Sequence, residues 1–262
     1  MSVVIRLERD TLDEEVARFT QAPLREPLFL NSVPKSGTHL LRNILRMFVP
    51  VEQAYHRDFI QLPTLHQHVS AFSRSQPWLS WGHLLFADAS AIALRDVRHI
   101  VLVRDPYDWV LARARFFLSE EFKGPLEHIK GGAASIEDVM NLMIFGALDR
   151  APGLNDIYSF NAAAWLGTSA HVVRYEEVVG ALRALDTPGA ERFFRDLLSA
   201  CGIDPLPADW RERVRIGADR RYSGTAREKL SLDIEIPQSL PLAQRRLVDY
   251  VAPGLRALLG YA

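Results

Sequence analysis

The stretch LFLNSVPKSGTHLLRN, residues 28–43, decides the fold. It begins with an apolar run typical of a buried strand, continues with a turn of small residues at 34–38, and ends in an amphipathic pattern typical of a helix. Backbone N–H groups converge at such a turn, and the helix N-terminus adds partial positive charge. Lys35 contributes a full positive charge. The segment therefore predicts a phosphate-binding loop in an α/β protein.

The order of residues in this turn differs from the ordinary P-loop, in which the lysine follows the glycines as G-x-x-x-x-G-K-[ST]. Here the lysine comes first, and PKSGT after a strand resembles the 5′-phosphosulfate loop of sulfotransferases that use 3′-phosphoadenosine 5′-phosphosulfate (PAPS). The resemblance implies that the loop holds the 5′-phosphate. The residues concerned are Lys35, Ser36, Gly37, Thr38 and, through its backbone N–H, His39. The motif alone leaves open a plain helix cap with a solvated lysine.

A second segment, HIVLVRDPYDWVLARARFF at residues 99–117, repeats the strand-turn-helix architecture with Arg104 at the exit of the strand. Ligands of open α/β sheets bind at the carboxyl ends of the strands, and a guanidinium is a charged fork that suits a phosphate. The segment resembles the unit of the same family that holds the 3′-phosphate of PAPS, which implies this role for Arg104. The alternative is an ion pair with Asp105 or Asp108 at the start of the helix.

The match to the family has one gap on this second helix. Sulfotransferases of this kind usually place a serine eight residues after the arginine, where this chain has Ala112. Alanine offers no hydrogen-bond donor, so either Arg113 or Arg115 compensates or the 3′-phosphate is held more loosely. Arg113 lies about 100° further around the helix than the missing serine.

A histidine lies between the two phosphate segments, in the strand-like run LSWGHLLF at residues 79–86. An imidazole can accept a proton from a hydroxyl near neutral pH. The family carries its catalytic base at the end of a strand in this place, so the resemblance implies that His83 is the base. It also implies that Lys35 neutralises charge developing on the oxygen between sulfur and the 5′-phosphate. The alternative is a core histidine that is hydrogen-bonded to the backbone.

Two further segments resemble parts of the family that contact the rest of the nucleotide. AHVVRYEEVV, residues 170–179, resembles a strand ending in Tyr-Glu-Asp, which implies that Tyr175 lies against the adenine. ADRRYSGTAREKLS, residues 218–231, resembles the loop that closes over the 3′-phosphate. Its candidate residues are Arg220, Arg221 and Gly224. The tryptophan that usually follows is absent, with Ala226 nearest to its place, and a solvated basic loop is the alternative.

The composition is that of an ordinary soluble globular protein, with 262 residues, 48% hydrophobic and 24% charged. A formal net charge of −1 gives no overall attraction to nucleic acid or membrane. The one cysteine, Cys201, excludes an intramolecular disulfide and a cysteine-based metal site. The sequence has no apolar run of about 18 residues, and its N-terminus becomes charged too early for a signal peptide. We expect a cytoplasmic protein without a transmembrane segment or nucleic-acid partner.

Apolar strand patterns alternate with helical patterns along the chain. Strands are predicted near 28–34, 79–85, 98–104 and 170–174, and helices near 38–48, 106–120, 135–149, 154–166, 188–202 and 240–259. The alternation predicts one α/β domain over residues 1–262 with a mainly parallel sheet between layers of helices. The resemblance implies a P-loop-NTPase-like three-layer fold.

The function implied by the resemblance is that of a PAPS-dependent sulfotransferase of the bacterial type (EC 2.8.2 type). It would move the sulfuryl group to a hydroxyl or amine of a small-molecule, lipid or glycan acceptor, release 3′,5′-adenosine bisphosphate and require no metal. Two alternatives remain. A P-loop-type kinase or NTPase would need the lysine after the glycines and acidic Mg²⁺ ligands. A non-catalytic nucleotide-binding protein of the same fold would keep the phosphate loops without the chemistry.

Overall fold

The computed structural model describes residues 11–55, 59–120, 122–124, 126–148, 150–222, 230 and 235–261. These residues form two compact units. The sheet unit contains the described residues of 9–103 and 160–223, and the helical unit contains those of 104–159 and 224–262. The prediction of a single domain over residues 1–262 stays a prediction.

The sheet unit is built on five strands, and every pair of neighbouring strands is parallel. The strands are β1 (Leu28–Ser32), β2 (Ile60–Gln61), β3 (Leu79–His83), β4 (Arg98–Val103) and β5 (His171–Arg174). Their order across the sheet is β2-β3-β1-β4-β5. The central strand β1 is buried along its whole length, as expected for an apolar strand that is covered on both faces. This parallel sheet with flanking helices confirms the predicted fold class.

The six segments that the sequence pattern predicts as helical contain helices, and the described residues contain four further helices, Leu12–Val16, Asp88–Ala93, Tyr175–Arg183 and Trp210–Gly217, that were not predicted. In chain order, the helices are α1 (Leu12–Val16), α2 (Thr38–Arg46), α3 (Asp88–Ala93), α4 (Pro106–Phe117), α5 (Ile136–Phe145), α6 (Leu154–Asn161), α7 (Tyr175–Arg183), α8 (Pro188–Ala200), α9 (Trp210–Gly217), α10 (Leu242–Val251) and α11 (Leu255–Leu258). Helices α4, α5, α10 and α11 belong to the helical unit, and the boundary between the units falls within α6. Within the described ranges, no helix is both long and apolar enough to cross a lipid bilayer.

The four predicted strands are confirmed within two residues of their predicted bounds. Four helix predictions are wrong in detail. The helices predicted over 106–120 and 135–149 end at Phe117 and Phe145. The helix predicted over 240–259 divides into α10 and α11, because Gly254 adopts the left-handed conformation with φ +76° and begins a new helix. The helix predicted over 154–166 ends at Asn161 and is followed by the 3₁₀ turn Ala163–Trp165.

Helix α2, which follows the predicted phosphate loop, packs closely against α9. A Cβ atom added to Gly217 would lie 2.7 Å from the Cα of Ile44, so the two backbones are in direct contact there. The buried side chains of Leu41 and Ile44 on α2 and of Trp210 and Val214 on α9 belong to one apolar core. This packing fixes the position of α2, and with it the helix N-terminus at the end of the loop.

Candidate active site

The segment PKSGT forms the turn between the end of β1 and the start of α2, as predicted. Two of its residues have positive φ, Gly37 at +94° and Lys35 at +67°. The left-handed conformation costs a lysine about 1–2 kcal/mol, and strained non-glycine residues are concentrated at functional sites. The turn therefore holds Lys35 in a conformation that local preference alone would not select.

The ring of Tyr175 lies directly on the backbone of Gly37. A Cβ atom added to Gly37 would be 2.5 Å from Cδ2 of this ring. Tyr175 is the first residue of α7 and follows β5 directly. The structure thus brings Tyr175 to the predicted phosphate loop, although the two are distant in sequence. Its predicted contact with adenine stays a prediction.

We expect the substitution Gly37→Ala to destabilise the protein by about 2–4 kcal/mol, since it combines backbone strain with a clash against an aromatic ring. Gly167→Ala is a matched control, because Gly167 also has positive φ, at +76°, but an added Cβ there would meet nothing within 4 Å. Urea denaturation of both variants measures the difference. Equal losses of unfolding free energy would show that Tyr175 does not constrain the loop.

The loop has a buried hydroxyl without a hydrogen-bond partner next to a helix N-terminus, an arrangement that fits a bound phosphate. Ser36 is fully buried, and its Oγ has no hydrogen-bond partner among the described residues. Helix α2 has no side-chain cap, and the first N–H groups of a helix have no intrahelical acceptor. Leaving a buried hydroxyl unsatisfied costs about 1–3 kcal/mol. An anion at this position would satisfy both the hydroxyl and the helix N-terminus.

The groups of the predicted phosphate loop differ in whether they already have hydrogen-bond partners. The backbone N–H of Ser36 donates to the carbonyl of Val33 at 3.1 Å, so only its side chain is unused. The ring of His39 lies 5.5 Å from that of Trp81, centroid to centroid. Its side chain therefore packs on β3. This agrees with the resemblance, which assigns only the backbone N–H of His39 to the phosphate.

His83, the predicted base, is the last residue of β3 and lies beside the end of β1. Its Nδ1 is 2.9 Å from the carbonyl oxygen of Ser32. Because a carbonyl can only accept, Nδ1 carries the proton, and in the neutral ring Nε2 is the basic nitrogen. The side chain is half-buried and its ring contacts that of Phe59, with centroids 5.6 Å apart.

The surroundings of His83 keep it neutral at physiological pH. Burial is the main reason that the pKa of His83 falls from 6.5 to about 4. The hydrogen bond to Ser32 opposes this change, and the positive charge of Lys35 adds to it. The effect of Lys35 means that the loop lysine and the histidine, 48 residues apart in sequence, act on one another in the folded unit.

A buried amide network holds the end of β1 against the residue that follows β3. Asn31 Nδ2 donates to the carbonyl of Leu84 at 3.0 Å, and Asn31 Oδ1 accepts from the Leu84 N–H at 2.9 Å. Asn161 donates to Asn31 Oδ1 at 3.3 Å, and the indole N–H of Trp165 donates to the Leu84 carbonyl at 3.3 Å. This network was not predicted from the sequence. An asparagine inside an apolar strand was the signal that could have found it.

Arg104 directly follows β4, and its backbone is held within the helical unit. Its carbonyl accepts from the hydroxyl of Tyr158 at 2.8 Å. The next residue, Asp105, caps α4 by accepting from the N–H of Tyr107 at 2.9 Å. Arg256 of α11 donates twice to the same carboxylate, at 3.0 and 2.8 Å. Helix α11 therefore stabilises the turn that carries Arg104.

The two arginines that could replace the missing serine of α4 have different surroundings. Arg113 is buried, with its guanidinium 4.9 Å from the Trp109 ring centroid and 5.3 Å from that of Phe117. It donates to the carbonyl of Met143 at 3.3 Å, and burial lowers its pKa to about 10. These contacts join α4 to α5. Arg115 is exposed.

The predicted basic loop is described only in its first part. Arg220 and Arg221 are exposed and lie in the 3₁₀ turn Arg220–Tyr222. Arg221 forms an ion pair with Asp219 at 2.7 Å. Gly224 lies outside the described residues, so its predicted role is not addressed by the structure.

Asn43, to which the sequence analysis gave no role, connects this basic turn to α2. Its Nδ2 donates to the carbonyl of Tyr222 at 2.7 Å, and its Oδ1 accepts from Arg46 at 3.2 Å. Arg46 also donates to Asp13 at 2.8 Å. The helix that begins at the predicted phosphate loop thus also anchors the turn that carries the two candidate arginines.

The described residues contain no group of three or more His, Cys, Asp or Glu side chains that could hold a metal ion. The prediction that no metal is required stays a prediction.

Two solved structures to which the chain is similar are described as sulfotransferases. Mouse sulfotransferase SULT7A1 complexed with PAP matches with a TM-score of 0.60 and 14% identity, over 96% of this chain and 94% of that chain. The sulfotransferase domain from the curacin biosynthetic pathway matches with a TM-score of 0.44 and 13% identity, over 92% and 99% of the two chains. No family model matches the chain, and no curated protein matches its sequence. The first likeness shows the fold, while the bacterial type stays a prediction.

Proposed function

We propose that the chain is a PAPS-dependent sulfotransferase. One observation carries the proposal: the PKSGT loop and the half-buried His83 lie at the ends of two neighbouring parallel strands, where the carbonyl oxygen of Ser32 is 2.9 Å from Nδ1 of His83. The carboxyl ends of parallel strands are where such folds bind ligands. The mouse sulfotransferase of the same fold was solved with PAP, which supports PAPS as the co-substrate and 3′,5′-adenosine bisphosphate as the product.

The residues of the loop and of β3 would have different roles in the reaction. PAPS, when bound, supplies an activated sulfuryl group. Ser36 Oγ and the N-terminus of α2 hold the 5′-phosphate, and Lys35 neutralises charge on the oxygen that leaves sulfur. His83 accepts the proton of the acceptor hydroxyl or amine through Nε2. Catalysis then rests on positioning and charge stabilisation, as in phosphoryl transfer, and needs no metal.

The aromatic rings next to His83 favour an apolar or amphipathic acceptor over a fully hydrated glycan. The ring of Phe59 lies 5.8 Å from that of Trp81 and 5.6 Å from that of His83, centroid to centroid. The base therefore adjoins apolar surface. We propose a small-molecule or lipid acceptor in the cytoplasm and no nucleic-acid partner.

A thermal-shift panel of nucleotides tests the proposed function against its two alternatives. A ligand that binds only the folded state stabilises it, by about 2.7 kcal/mol at a hundredfold excess over Kd. We expect 3′,5′-adenosine bisphosphate to raise the melting temperature and ATP with Mg²⁺ to leave it unchanged. Stabilisation by ATP with Mg²⁺ alone would favour a kinase or NTPase. Stabilisation by the bisphosphate without transfer to any acceptor would favour the non-catalytic protein.

Arg104→Ala should weaken binding of 3′,5′-adenosine bisphosphate by about ten- to a hundredfold, the scale of one charge-assisted hydrogen bond. The loss should be much smaller for AMP, which lacks the 3′-phosphate. Calorimetry with both ligands measures the two losses. Arg115→Ala tests the other candidate of the same helix; because Arg115 is exposed, we expect this variant to bind both ligands as the wild type does. Equal losses for both ligands would show that Arg104 only stabilises the start of α4.

A second variant tests the gap in the family pattern at the same site. Ala112→Ser restores the hydroxyl that the family usually has, so binding of the bisphosphate should tighten or stay unchanged. A loss of affinity on this substitution would mean that the helix lies differently from that of the family.

A further inference from the structure

A buried serine stands between the phosphate loop and the candidate base. Ser32 Oγ lies 2.7 Å from the hydroxyl of Thr38 and 3.1 Å from Nδ1 of His83. Ser32 is fully buried at the end of β1, and Thr38 is the first residue of α2. The three side chains form a continuous hydrogen-bonded chain, Thr38–Ser32–His83, that connects the helix N-terminus to the imidazole.

The carbonyl of Ser32 sets the direction of one link in this chain. It accepts from His83 Nδ1, which therefore carries a proton, and Ser32 Oγ can only accept from that nitrogen. The hydroxyl proton of Ser32 then points to Thr38 at 2.7 Å or to the carbonyl of Gly82 at 3.5 Å. Two arrangements result: Thr38 donates to Ser32, or Ser32 donates to Thr38 and leaves the Thr38 proton for another acceptor.

We propose that Ser32 is a positioning residue that couples occupation of the phosphate loop to His83, an inference that rests on the proposed function. A phosphate in the loop accepts a hydrogen bond from the Thr38 hydroxyl and so selects the second arrangement. Ser32 then donates to Thr38 and turns its lone pairs toward Nδ1–H. The imidazole gains a better acceptor at Nδ1, and Nε2 becomes more basic when the nucleotide is in place.

This coupling would make His83 a stronger base in the nucleotide complex than in the free protein. A base works best when its pKa lies near the working pH, and burial together with Lys35 holds the pKa of His83 at about 4. The groups that face His83 are Lys35 from the loop, Ser32 from β1 and the uncharged ring of Phe59. A bound phosphate offsets the charge of Lys35 and orders Ser32, so both changes raise the basicity of His83 at the moment it is needed.

The experiment compares Ser32→Ala with Ser80→Ala. Ser80 is also a fully buried serine of the same sheet, and its hydroxyl has no hydrogen-bond partner among the described residues, which makes it a matched control. Ser32→Ala removes the hydroxyl but keeps the backbone carbonyl that sets the tautomer. Long-range proton–nitrogen NMR spectra of the histidine rings, recorded near neutral pH with and without 3′,5′-adenosine bisphosphate, follow Nδ1 of His83. Calorimetry and steady-state kinetics accompany them.

In the wild type and in Ser80→Ala, saturation with the bisphosphate should shift the Nδ1 resonance of His83. Ser32→Ala should lose most of that shift and about five- to tenfold in kcat, the scale of one hydrogen bond, with the Kd of the bisphosphate changed by less than about threefold. Thr38→Val removes the other hydroxyl of the chain and should also lose the shift, which keeps the test decisive if Ser32→Ala does not fold.

An unchanged shift in either folded variant overturns the coupling and leaves the proposed function standing. A wild-type protein that does not bind the bisphosphate overturns both. A drop in kcat that Ser80→Ala shares would show a loss of packing in the sheet and would also overturn the coupling.

Discussion

Lys35→Gly should lower the rate of sulfuryl transfer by about two to three orders of magnitude, the scale of losing a key electrostatic stabiliser. The same substitution should leave the fold intact or stabilise it, because Lys35 has φ +67° and glycine adopts this conformation at no steric cost. Lys35→Ala should lose the same activity without the gain in stability. Release of 3′,5′-adenosine bisphosphate from PAPS, with a panel of hydroxyl and amine acceptors, measures the rate, and urea denaturation measures the stability.

The pair of variants separates the chemical role of Lys35 from its conformational role. A variant that is more stable than the wild type and nearly inactive cannot owe its inactivity to unfolding. Undiminished transfer in both purified variants would contradict the assignment of Lys35 to the phosphosulfate loop.

His83→Ala should remove about two to four orders of magnitude of turnover, the scale of general base catalysis. The Kd of 3′,5′-adenosine bisphosphate should change little, because the base acts on the acceptor and not on the nucleotide. His99→Gln is the matched control. His99 is a buried histidine of β4, and burial lowers its pKa to about 3, but it has no role in the proposed reaction. That variant should lose stability and keep the transfer rate of its folded fraction.

The pH dependence of the wild type gives a second readout for His83. Because the pKa of His83 in the free protein lies at about 4, the unprotonated base persists in acid, and kcat/KM for PAPS, which reports the free enzyme, should stay level from about pH 8 to about pH 5. An unperturbed histidine would make the rate fall near pH 6.5 instead. The unfolded chain takes up protons at His83 and His99 below about pH 6.5, while burial in the fold keeps both rings neutral to lower pH. Stability is therefore lost as the pH falls, and rates must be compared at temperatures where the protein stays folded.

An acid limb near pH 6.5 in kcat/KM for PAPS of the wild type, or normal turnover in His83→Ala, would contradict the assignment of the base. Loss of nucleotide binding together with turnover in His83→Ala would show that the histidine is a structural core residue.

The parts of the fold that follow from local sequence were predicted well. Each of the four predicted strands is a continuous apolar run of several residues, and the loop at 34–38 carries its own turn and helix signals. Strand β2 has only two residues, too few for a periodic pattern, and it was missed. The single helix predicted over 240–259 is divided at Gly254. That prediction used the apolar periodicity, which carries no information on where a glycine ends a helix.

The parts of the site that depend on distant contacts could not be predicted. Ser32 and His83 are 51 residues apart, and Asn161 reaches Asn31 across 130 residues. Nothing local to Ser32 distinguishes it from the last residue of any buried strand. The lowered pKa of His83 depends on burial, which the pattern of a strand indicates, and on the nearby charge of Lys35, which it does not; the hydrogen bond to Ser32 opposes the change.

The most direct test of the proposed function is a calorimetric titration of the wild-type protein with 3′,5′-adenosine bisphosphate, repeated with ATP and Mg²⁺. We predict saturable one-to-one binding of the bisphosphate and no saturable heat with ATP and Mg²⁺, because the loop holds its lysine before the glycine in the manner of PAPS-binding loops. Saturable binding of ATP with Mg²⁺ and none of the bisphosphate would contradict the proposal that this chain is a sulfotransferase.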